Sequence, residues 1–222
     1  MGLADELLAN RRLAAAGLAV AAAAMVLLAL WAPGGLGLGG DDAGSGPGEV
    51  PVDPPSMPNA TAVVDDIEAL ADFGYRKIDT VAHANAGDFV QFRFEDLGYA
   101  VEVQNFTTAE CGYCRNYVAT YEGEDPDSWI VVGGHYDAIC YSQQLIIGIE
   151  YPGCTSQGAY DDGTGTASVL ELARLMMEWG GVPAHTWKFA VWDYEEWQGS
   201  GSSEGSGFGS LTFVEGLPEG VE

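Results

Sequence analysis

The sequence is poor in basic residues. Lysine and arginine together number 8 in a chain of 222 residues, against 33 aspartates and glutamates, so the formal net charge is −25 at pH 7. Binding to the phosphates of nucleic acids or of anionic lipid headgroups depends on lysine and arginine. This composition argues against nucleic acid as a partner, and it is typical of proteins that stay soluble in salty or acidic surroundings.

Charge of either sign is absent from residues 13–32, LAAAGLAVAAAAMVLLALWA. A helix of about 20 residues, at ~1.5 Å per residue, covers the roughly 30 Å hydrocarbon core of a membrane. Arg11 and Arg12 precede the segment and favour a cytoplasmic N-terminus with the rest exported. Residues 1–32 are therefore predicted to form a cytoplasmic N-terminus with a signal anchor, or a cleaved signal peptide. We expect an extracytoplasmic protein, tethered to the cell membrane by this helix or secreted if it is cleaved.

Cysteine is also scarce, and its spacing is not that of a zinc-binding module. The cysteines are Cys111, Cys114, Cys140 and Cys154. Because CGYC has no second Cys-x-x-Cys pair to complement it, a structural zinc site is not expected. Outside the cell such cysteines are expected to form disulfides, and pairing 111 with 114 and 140 with 154 is one of the three arrangements possible.

Composition changes again after the apolar segment. Residues 33–58 are rich in glycine, proline and aspartate and predict a linker, and residues 59–222 predict the N-terminal part of a folded domain. Apolar spacing there predicts helices over 61–74, 89–98 and 166–181, the last capped by Thr166. Runs of β-branched and aromatic residues predict strands over 99–106, 115–122, 129–134 and 186–193. The alternation indicates an α/β fold with a mostly parallel-core sheet sandwiched by helices.

Three polar clusters adjoin these elements: GGHYDA at 133–138, AYDDGTGTAS at 159–168 and VWDYEEW at 191–197. In open α/β sheets, functional groups gather at the carboxyl ends of strands. Residues two apart in an extended segment point the same way, so Asp137 can support the imidazole of His135. Adjacent acids at a strand end face different directions, so Glu196 can bind a metal while Glu195 faces the cleft. One histidine with several carboxylates suits Zn²⁺ or, less selectively, Mn²⁺ or Co²⁺.

Each of these features alone has an ordinary structural explanation. A lone histidine such as His135 is more often hydrogen-bonded than metal-bound, and adjacent acids such as Asp161 and Asp162 are more often surface or capping groups. Their joint placement, each after an apolar strand or before a helix, is what predicts a site. His83 and His185 lack such a setting and are predicted to be structural.

In this order the three motifs resemble those of the di-zinc aminopeptidases, a family that includes bacterial leucyl aminopeptidases. Glutamate carboxypeptidase and glutaminyl cyclase are distant members. The resemblance runs from about residue 61 to about residue 215. It implies the zinc-peptidase, or phosphorylase-like, fold and two Zn²⁺ ions in a complete site. It also implies that Asp162 shapes the turn behind Asp161, through a cis peptide bond that is frequent in the family.

The resemblance further implies a role for each candidate residue. His135 is a ligand of one zinc, Glu196 binds the other, and Asp161 bridges both. Glu195 is the general base that takes a proton from the attacking water. Asp137 belongs to the catalytic set by orienting His135. The reaction implied is metal-assisted hydrolysis of a peptide bond.

The sequence also departs from the family pattern, which needs an acidic ligand and a histidine ligand well downstream of the glutamate pair. No histidine follows Glu196, and WQGSGSSEG interrupts the element that normally comes next. We therefore expect a C-terminally incomplete fold, either because the chain is a piece of a longer protein or because it is degenerate with one weak metal site. The 222-residue chain alone is expected to have little peptidase activity, and exposed apolar sheet edges are expected to favour aggregation.

The expected function is that of an exported, metal-dependent exopeptidase acting on peptides or proteins, in the first place an aminopeptidase. A carboxypeptidase or a glutaminyl-cyclase relative is the alternative within the family, although the pair His135 and Asp137 favours two metals over the single zinc of a cyclase. A non-catalytic binding ectodomain on the same fold is the alternative from another class. The intact ligands in this stretch count against it, because such relatives lose them.

Overall fold

The structure is a computed structural model, and it describes residues 56–139, 157–196 and 206–221. The predicted anchor at 1–32, most of the predicted linker at 33–58, and both Cys140 and Cys154 lie outside the described residues. Within the described ranges, no helix has the length and apolar character needed to cross a membrane. The division of the chain into anchor, linker and domain stays a prediction.

Four helices and four strands follow one another along the described chain. The helices are α1 (Ala60–Asp72), α2 (Val81–Asp96), α3 (Gly163–Trp179) and α4 (Phe208–Glu215). The strands are β1 (Val101–Phe106), β2 (Cys114–Tyr121), β3 (Asp125–His135) and β4 (His185–Trp192). Each helix and strand that the sequence predicts within residues 59–222 is present, and α4 is an addition to that set.

Helix α2 is longer than its apolar spacing predicts because an upstream side chain caps it. Thr80 Oγ1 accepts a hydrogen bond from the backbone N–H of His83 at 3.2 Å, so the helix starts at Val81 rather than at residue 89. Helix α3 ends where the sequence indicates: Gly180 has a φ of 62°, a left-handed conformation in which glycine carries no Cβ penalty.

The sheet is mixed, with strand order β1-β2-β4-β3. β1 pairs with β2 and β2 with β4 in antiparallel fashion, whereas β3 and β4 run parallel. A parallel pair needs a crossover connection, and α3 lies in the segment between these two strands. The predicted α/β class is therefore confirmed, but within the described strands the parallel part is the β3–β4 pair.

Helices cover both faces of the sheet. On one face, β2 and β4 pack against α1, α2 and α3 through Tyr117, Ala119, Phe189, Val191, Leu70, Val90, Phe94 and Leu170. Val118 and Ala190 lie between these residues in β2 and β4. They point to the opposite face of the sheet and pack with Phe213 of α4. Because successive side chains of a strand alternate between faces, the same two strands serve both cores. The predicted sandwich of helices around the sheet is present.

The parallel pair brings two strand ends and one helix start to the same edge of the sheet. His135, the last residue of β3, pairs with Trp192, the last residue of β4. A methyl group on Gly134 would lie 2.7 Å from the carbonyl carbon of Gly165, so only glycine lets the first turn of α3 pack this closely on β3. All three polar clusters of the sequence meet at this edge.

A disulfide joins Cys111 and Cys114, so the expectation that the cysteines form disulfides is confirmed for this pair. Both cysteines are fully buried and pack in a small cluster with Ile78 and Tyr194. Tyr194 lies in the segment that follows β4, directly before Glu195. The disulfide therefore forms part of the packing beneath that segment.

Candidate metal centre

The three residues predicted as metal ligands lie together. One ligand atom from each of His135, Asp161 and Glu196 can be chosen so that all of them lie within 4.8 Å of one another. His135 ends β3, Asp161 precedes α3 and Glu196 follows β4, so the parallel pair and its crossover bring them to one edge. A cavity of about 490 Å³ opens there, and its lining includes all three residues together with Glu195.

The imidazole of His135 is oriented by Asp137. Its Nδ1 lies 3.3 Å from Asp137 Oδ1 and 3.2 Å from the Asp137 carbonyl oxygen, which assigns the proton to Nδ1. The other ring nitrogen, Nε2, then faces the acids, 3.2 Å from Asp161 Oδ1 and 3.6 Å from Glu195 Oε2. In proteins, metal-binding histidines are commonly oriented in this way by an acceptor at the second nitrogen.

Asp137 also holds the backbone of the glutamate pair. Its side chain is fully buried, Oδ1 accepts a hydrogen bond from the N–H of Glu195 at 3.0 Å, and Oδ2 accepts one from the N–H of Glu196 at 3.1 Å. One carboxylate therefore links the end of β3 to the segment after β4. Glu196 is 6% exposed, whereas the side chain of Glu195 is 42% exposed and open to the cavity.

Asp162 occupies a different position from its neighbour. The Asp161–Asp162 peptide bond is cis, as the resemblance implies. Asp162 Oδ1 accepts a hydrogen bond from the N–H of Gly165 at 2.7 Å, and Oδ2 accepts one from the N–H of His135 at 3.2 Å. The prediction that Thr166 caps α3 is wrong, because the carboxylate of Asp162 satisfies the first turn and starts the helix three residues earlier.

The carboxylates around His135 favour a positive charge at this position. Burial alone lowers the pKa of His135, but the hydrogen bond to Asp137 and the charges of Asp137, Asp162 and Glu195 outweigh it and raise the pKa to about 9. Burial, reinforced by the nearby Asp161 carboxylate, raises the pKa of Glu196 to about 7. A bound cation would take the place of the protons that these shifts favour. One imidazole nitrogen and two carboxylates are a donor set that fits Zn²⁺.

A second buried network, which the sequence did not single out, supports the cluster from behind. Asp193 is fully buried; its Oδ1 lies 2.7 Å from His83 Nε2, and its Oδ2 accepts hydrogen bonds from the Tyr136 hydroxyl and the N–H of Arg115, both at 2.7 Å. Tyr136 stands between His135 and Asp137 in the sequence. His83 thus has the structural position predicted for it. An acid directly after an apolar strand was the available signal for Asp193.

Comparison with known proteins gives the same assignment as the motifs. Residues 116–214 match the model of Peptidase family M28. The chain is 28% identical over 149 residues to leupeptin-inactivating enzyme 1 of Streptomyces exfoliatus, and 37% identical over 95 residues to a glutamate carboxypeptidase 2 homolog of Caenorhabditis elegans. These matches cover 64% and 40% of this chain.

The fold has a counterpart among solved structures. A leucine aminopeptidase precursor from Bacteroides thetaiotaomicron superimposes with a TM-score of 0.59 and 20% identity, over 74% of this chain and 59% of that one. The α/β fold predicted from the sequence is thus confirmed. The matched regions make up 30% of the Streptomyces protein and 10% of the Caenorhabditis protein. The segment that is similar to Peptidase family M28, residues 116–214, contains the three clustered candidate ligands and the glutamate pair.

Proposed function

We propose that this protein hydrolyses peptide bonds with the help of Zn²⁺ held by His135, Asp161 and Glu196. One observation carries the proposal: three ligand atoms from three separate segments lie within 4.8 Å of one another, beside a fourth acid that has its own support. Acids that serve only solubility have no reason to converge on a buried histidine, because like charges repel and burial of a carboxylate costs free energy. A cation offsets both costs.

The residues divide the chemical work between them. Zinc, when bound, acts as a Lewis acid on the scissile carbonyl and lowers the pKa of water. Glu195 is held through its backbone by Asp137 while its side chain faces the cavity, so it can take a proton from the attacking water and return it to the leaving amine. Asp137 keeps the Nδ1 proton of His135 in place and leaves Nε2 free to bind the metal.

The finer assignment is an exported aminopeptidase with two zinc ions, of which Asp161 is the shared ligand. Two features support the shared role: the side chain of Asp161 is 61% exposed, and one of its oxygens is 3.2 Å from His135 Nε2, so the carboxylate has room for a second ion on its open side. Peptides or proteins are the proposed substrates. The apolar residues 13–32, behind Arg11 and Arg12, support an extracytoplasmic place for the domain and a membrane tether.

Zinc binding is the first test, since the chain alone is expected to turn over little substrate. Isothermal titration of the 222-residue chain with Zn²⁺ should give stoichiometric binding, with two ions if the shared role of Asp161 holds and one if it does not. Glu196→Gln should abolish tight binding at the cluster, because the amide removes one of its anionic ligands. Glu215→Gln, the same change on an exposed face of α4, is the matched control and should bind as the parent does.

A parent chain that takes up no zinc, or a Glu196→Gln variant that binds it unchanged, would overturn the proposed site. Substrate class is then tested with leucine nitroanilide, its N-acetylated form, a peptide with C-terminal glutamate and a peptide with N-terminal glutamine. An aminopeptidase cleaves the free-amino nitroanilide and leaves its N-acetylated form intact. Release of C-terminal glutamate indicates a carboxypeptidase, and ring closure of the N-terminal glutamine indicates a cyclase.

A further inference from the structure

Arg76 is a fully buried arginine whose guanidinium contacts backbone carbonyls from three parts of the chain. Its acceptors are the carbonyl oxygens of Leu70 at 3.0 Å, Tyr136 at 2.6 Å, Gln157 at 2.5 Å and Gly158 at 2.9 Å. Leu70 lies in α1, Tyr136 directly follows β3, and 157–158 lead into the turn before α3. All three guanidinium nitrogens are used. Only arginine among the side chains has a planar fork of this reach.

Two of these three segments carry a metal ligand. Tyr136 is the residue after His135, and Gly158 lies three residues before Asp161. Gly158 also accepts a hydrogen bond from the N–H of Gly163 at 2.9 Å, so its carbonyl is shared by the first residue of α3 and by Arg76. The distance between the histidine and the aspartate of the cluster therefore depends on how the arginine holds the two segments.

The backbone of Arg76 strengthens the same connection. The N–H of Ala138 donates to the Arg76 carbonyl at 3.2 Å, so the segment after β3 is bonded to both the side chain and the main chain of one residue. Gly158 has a φ of 57°, and a methyl group on it would lie 2.7 Å from Arg76 Nη2. The turn thus lets the guanidinium reach the carbonyl of Gly158. Glycine allows both the positive φ and the close approach of the guanidinium.

The buried charge matches its surroundings. Burial lowers the pKa of Arg76 to about 10, while the charges of Asp137 and Asp162 act in the opposite direction. Arginine is thus protonated at neutral pH and can donate all of these hydrogen bonds. Both aspartates belong to the support of the metal centre, one behind His135 and the other behind Asp161.

We propose that Arg76 is a positioning residue that sets the spacing of His135 and Asp161 and thereby the zinc affinity of the site. The inference rests on the proposed function, because it needs a zinc site to act on. Its mechanism is indirect: the guanidinium bonds main-chain carbonyls and acts by fixing the two backbone segments from which the proposed ligands project.

The test compares Arg76→Met and Arg76→Lys with the parent 222-residue chain. Zinc affinity is measured by calorimetry at a temperature where circular dichroism shows each metal-free variant to be folded. Removal of groups that orient metal ligands typically costs about 10–100-fold in affinity, and this range is expected for Arg76→Met. Lysine keeps the charge but presents one nitrogen to carbonyls on several sides, so Arg76→Lys should bind with an intermediate affinity.

Arg93→Met is the matched control. Arg93 is also partly buried and bonds both oxygens of Asp66, at 2.8 and 3.0 Å, but it joins α1 to α2 away from the cluster. This variant should lose stability and keep the zinc affinity of the parent. If Arg76→Met does not fold, Arg76→Lys carries the test through the rise in melting temperature that zinc produces, which depends on the ratio of zinc concentration to Kd.

The outcomes separate the two proposals. Parent-like zinc affinity in folded Arg76→Met, or a parent-like zinc-induced rise in melting temperature in Arg76→Lys, overturns the positioning role and leaves the zinc site intact. Absence of zinc binding in the parent overturns both. Weakened binding in the Arg76 variants, with unchanged binding in Arg93→Met, supports the positioning role against a merely structural one.

Discussion

The chain contains two adjacent acid pairs at the same edge of the sheet, Asp161–Asp162 and Glu195–Glu196, and their four carboxylates are used differently. In the first pair, Asp162 is turned inward, accepts the N–H groups of Gly165 and His135, and is occupied as a helix cap. Both residues line the cavity, but only Asp161 of that pair is grouped with His135 and Glu196 as a candidate metal ligand. In the second pair both side chains line the cavity, one of them nearly buried and one open.

The difference arises from which group accepts the hydrogen bonds of the backbone N–H groups near each pair. The first turn of α3 has N–H groups without acceptors inside the helix, and the carboxylate of Asp162 accepts a hydrogen bond from one of them. After β4 the N–H groups of Glu195 and Glu196 are already satisfied by Asp137, so neither glutamate side chain is needed for that purpose. A pair of acids therefore offers one candidate ligand where it must cap a helix, and a candidate ligand together with a candidate base where a third carboxylate supports the backbone.

The largest effect is expected from Glu195→Gln, which separates the two members of the second pair. The amide cannot accept the proton of water, so any peptide hydrolysis by the protein should fall by about 10²–10⁴-fold. Zinc affinity should stay close to that of the parent, because Glu196 and its backbone support are unchanged. Hydrolysis is measured with a fluorogenic aminoacyl amide and zinc binding by calorimetry on the same samples.

Glu196→Gln provides the contrast for this prediction, since it should reduce metal binding and hydrolysis together. If Glu195→Gln lost zinc to the same extent, the two glutamates would both be ligands and the division of roles within the pair would be wrong. If it hydrolysed the amide at the parent rate, another group would have to serve as the base.

A smaller effect is expected from Asp137→Asn, which removes the support that distinguishes the second pair from the first. The amide nitrogen cannot accept the N–H of a glutamate, and the orienting charge behind His135 is lost. Zinc affinity should weaken by about 10–100-fold while the fold persists. Calorimetry with circular dichroism checks this, with Asp88→Asn as the control, because Asp88 pairs with Arg115 on an exposed surface. Equal affinities in the two variants would contradict the supporting role.

Most of the secondary structure and the convergence of the three candidate ligands could be predicted from the sequence because both are encoded locally. Apolar periodicity placed α3 and the strands, and the rule that functional groups gather at strand ends brought His135 and Glu196 to one edge. Which acid of a pair stays available to a metal depends on which backbone N–H groups lack acceptors. That information is tertiary, and the same limit explains why Thr166 rather than Asp162 was expected to cap α3.

Other features were beyond the sequence because their partners are distant along the chain. Arg76 bonds carbonyls up to 82 residues away, and no local pattern marks a residue whose acceptors are main-chain oxygens. Asp193, which follows β4, likewise gains its role from His83 in α2, 110 residues earlier in the chain. The mixed sheet has the same origin. The alternation of side chains along a strand is the same in both strand directions, so it does not predict that β2 pairs with β4 in antiparallel fashion.

The smallest effect is expected from Asp162→Ala, which removes the capping member of the first pair. Loss of a helix cap costs about 0.5–2 kcal/mol, and for a chain of this size 1 kcal/mol lowers the melting temperature by roughly 2–4 °C. Asn59→Ala, which removes the cap of α1 at a residue that does not line the cavity, should cost a similar amount of stability. The two variants should differ in zinc affinity, because only Asp162 also holds the N–H of His135. Thermal melts with and without zinc measure both quantities.

The zinc-induced rise in melting temperature should be smaller in Asp162→Ala than in Asn59→Ala, but larger than in Asp137→Asn. A rise in Asp162→Ala smaller than in Asp137→Asn would mean that Asp162 supports the site more than the helix.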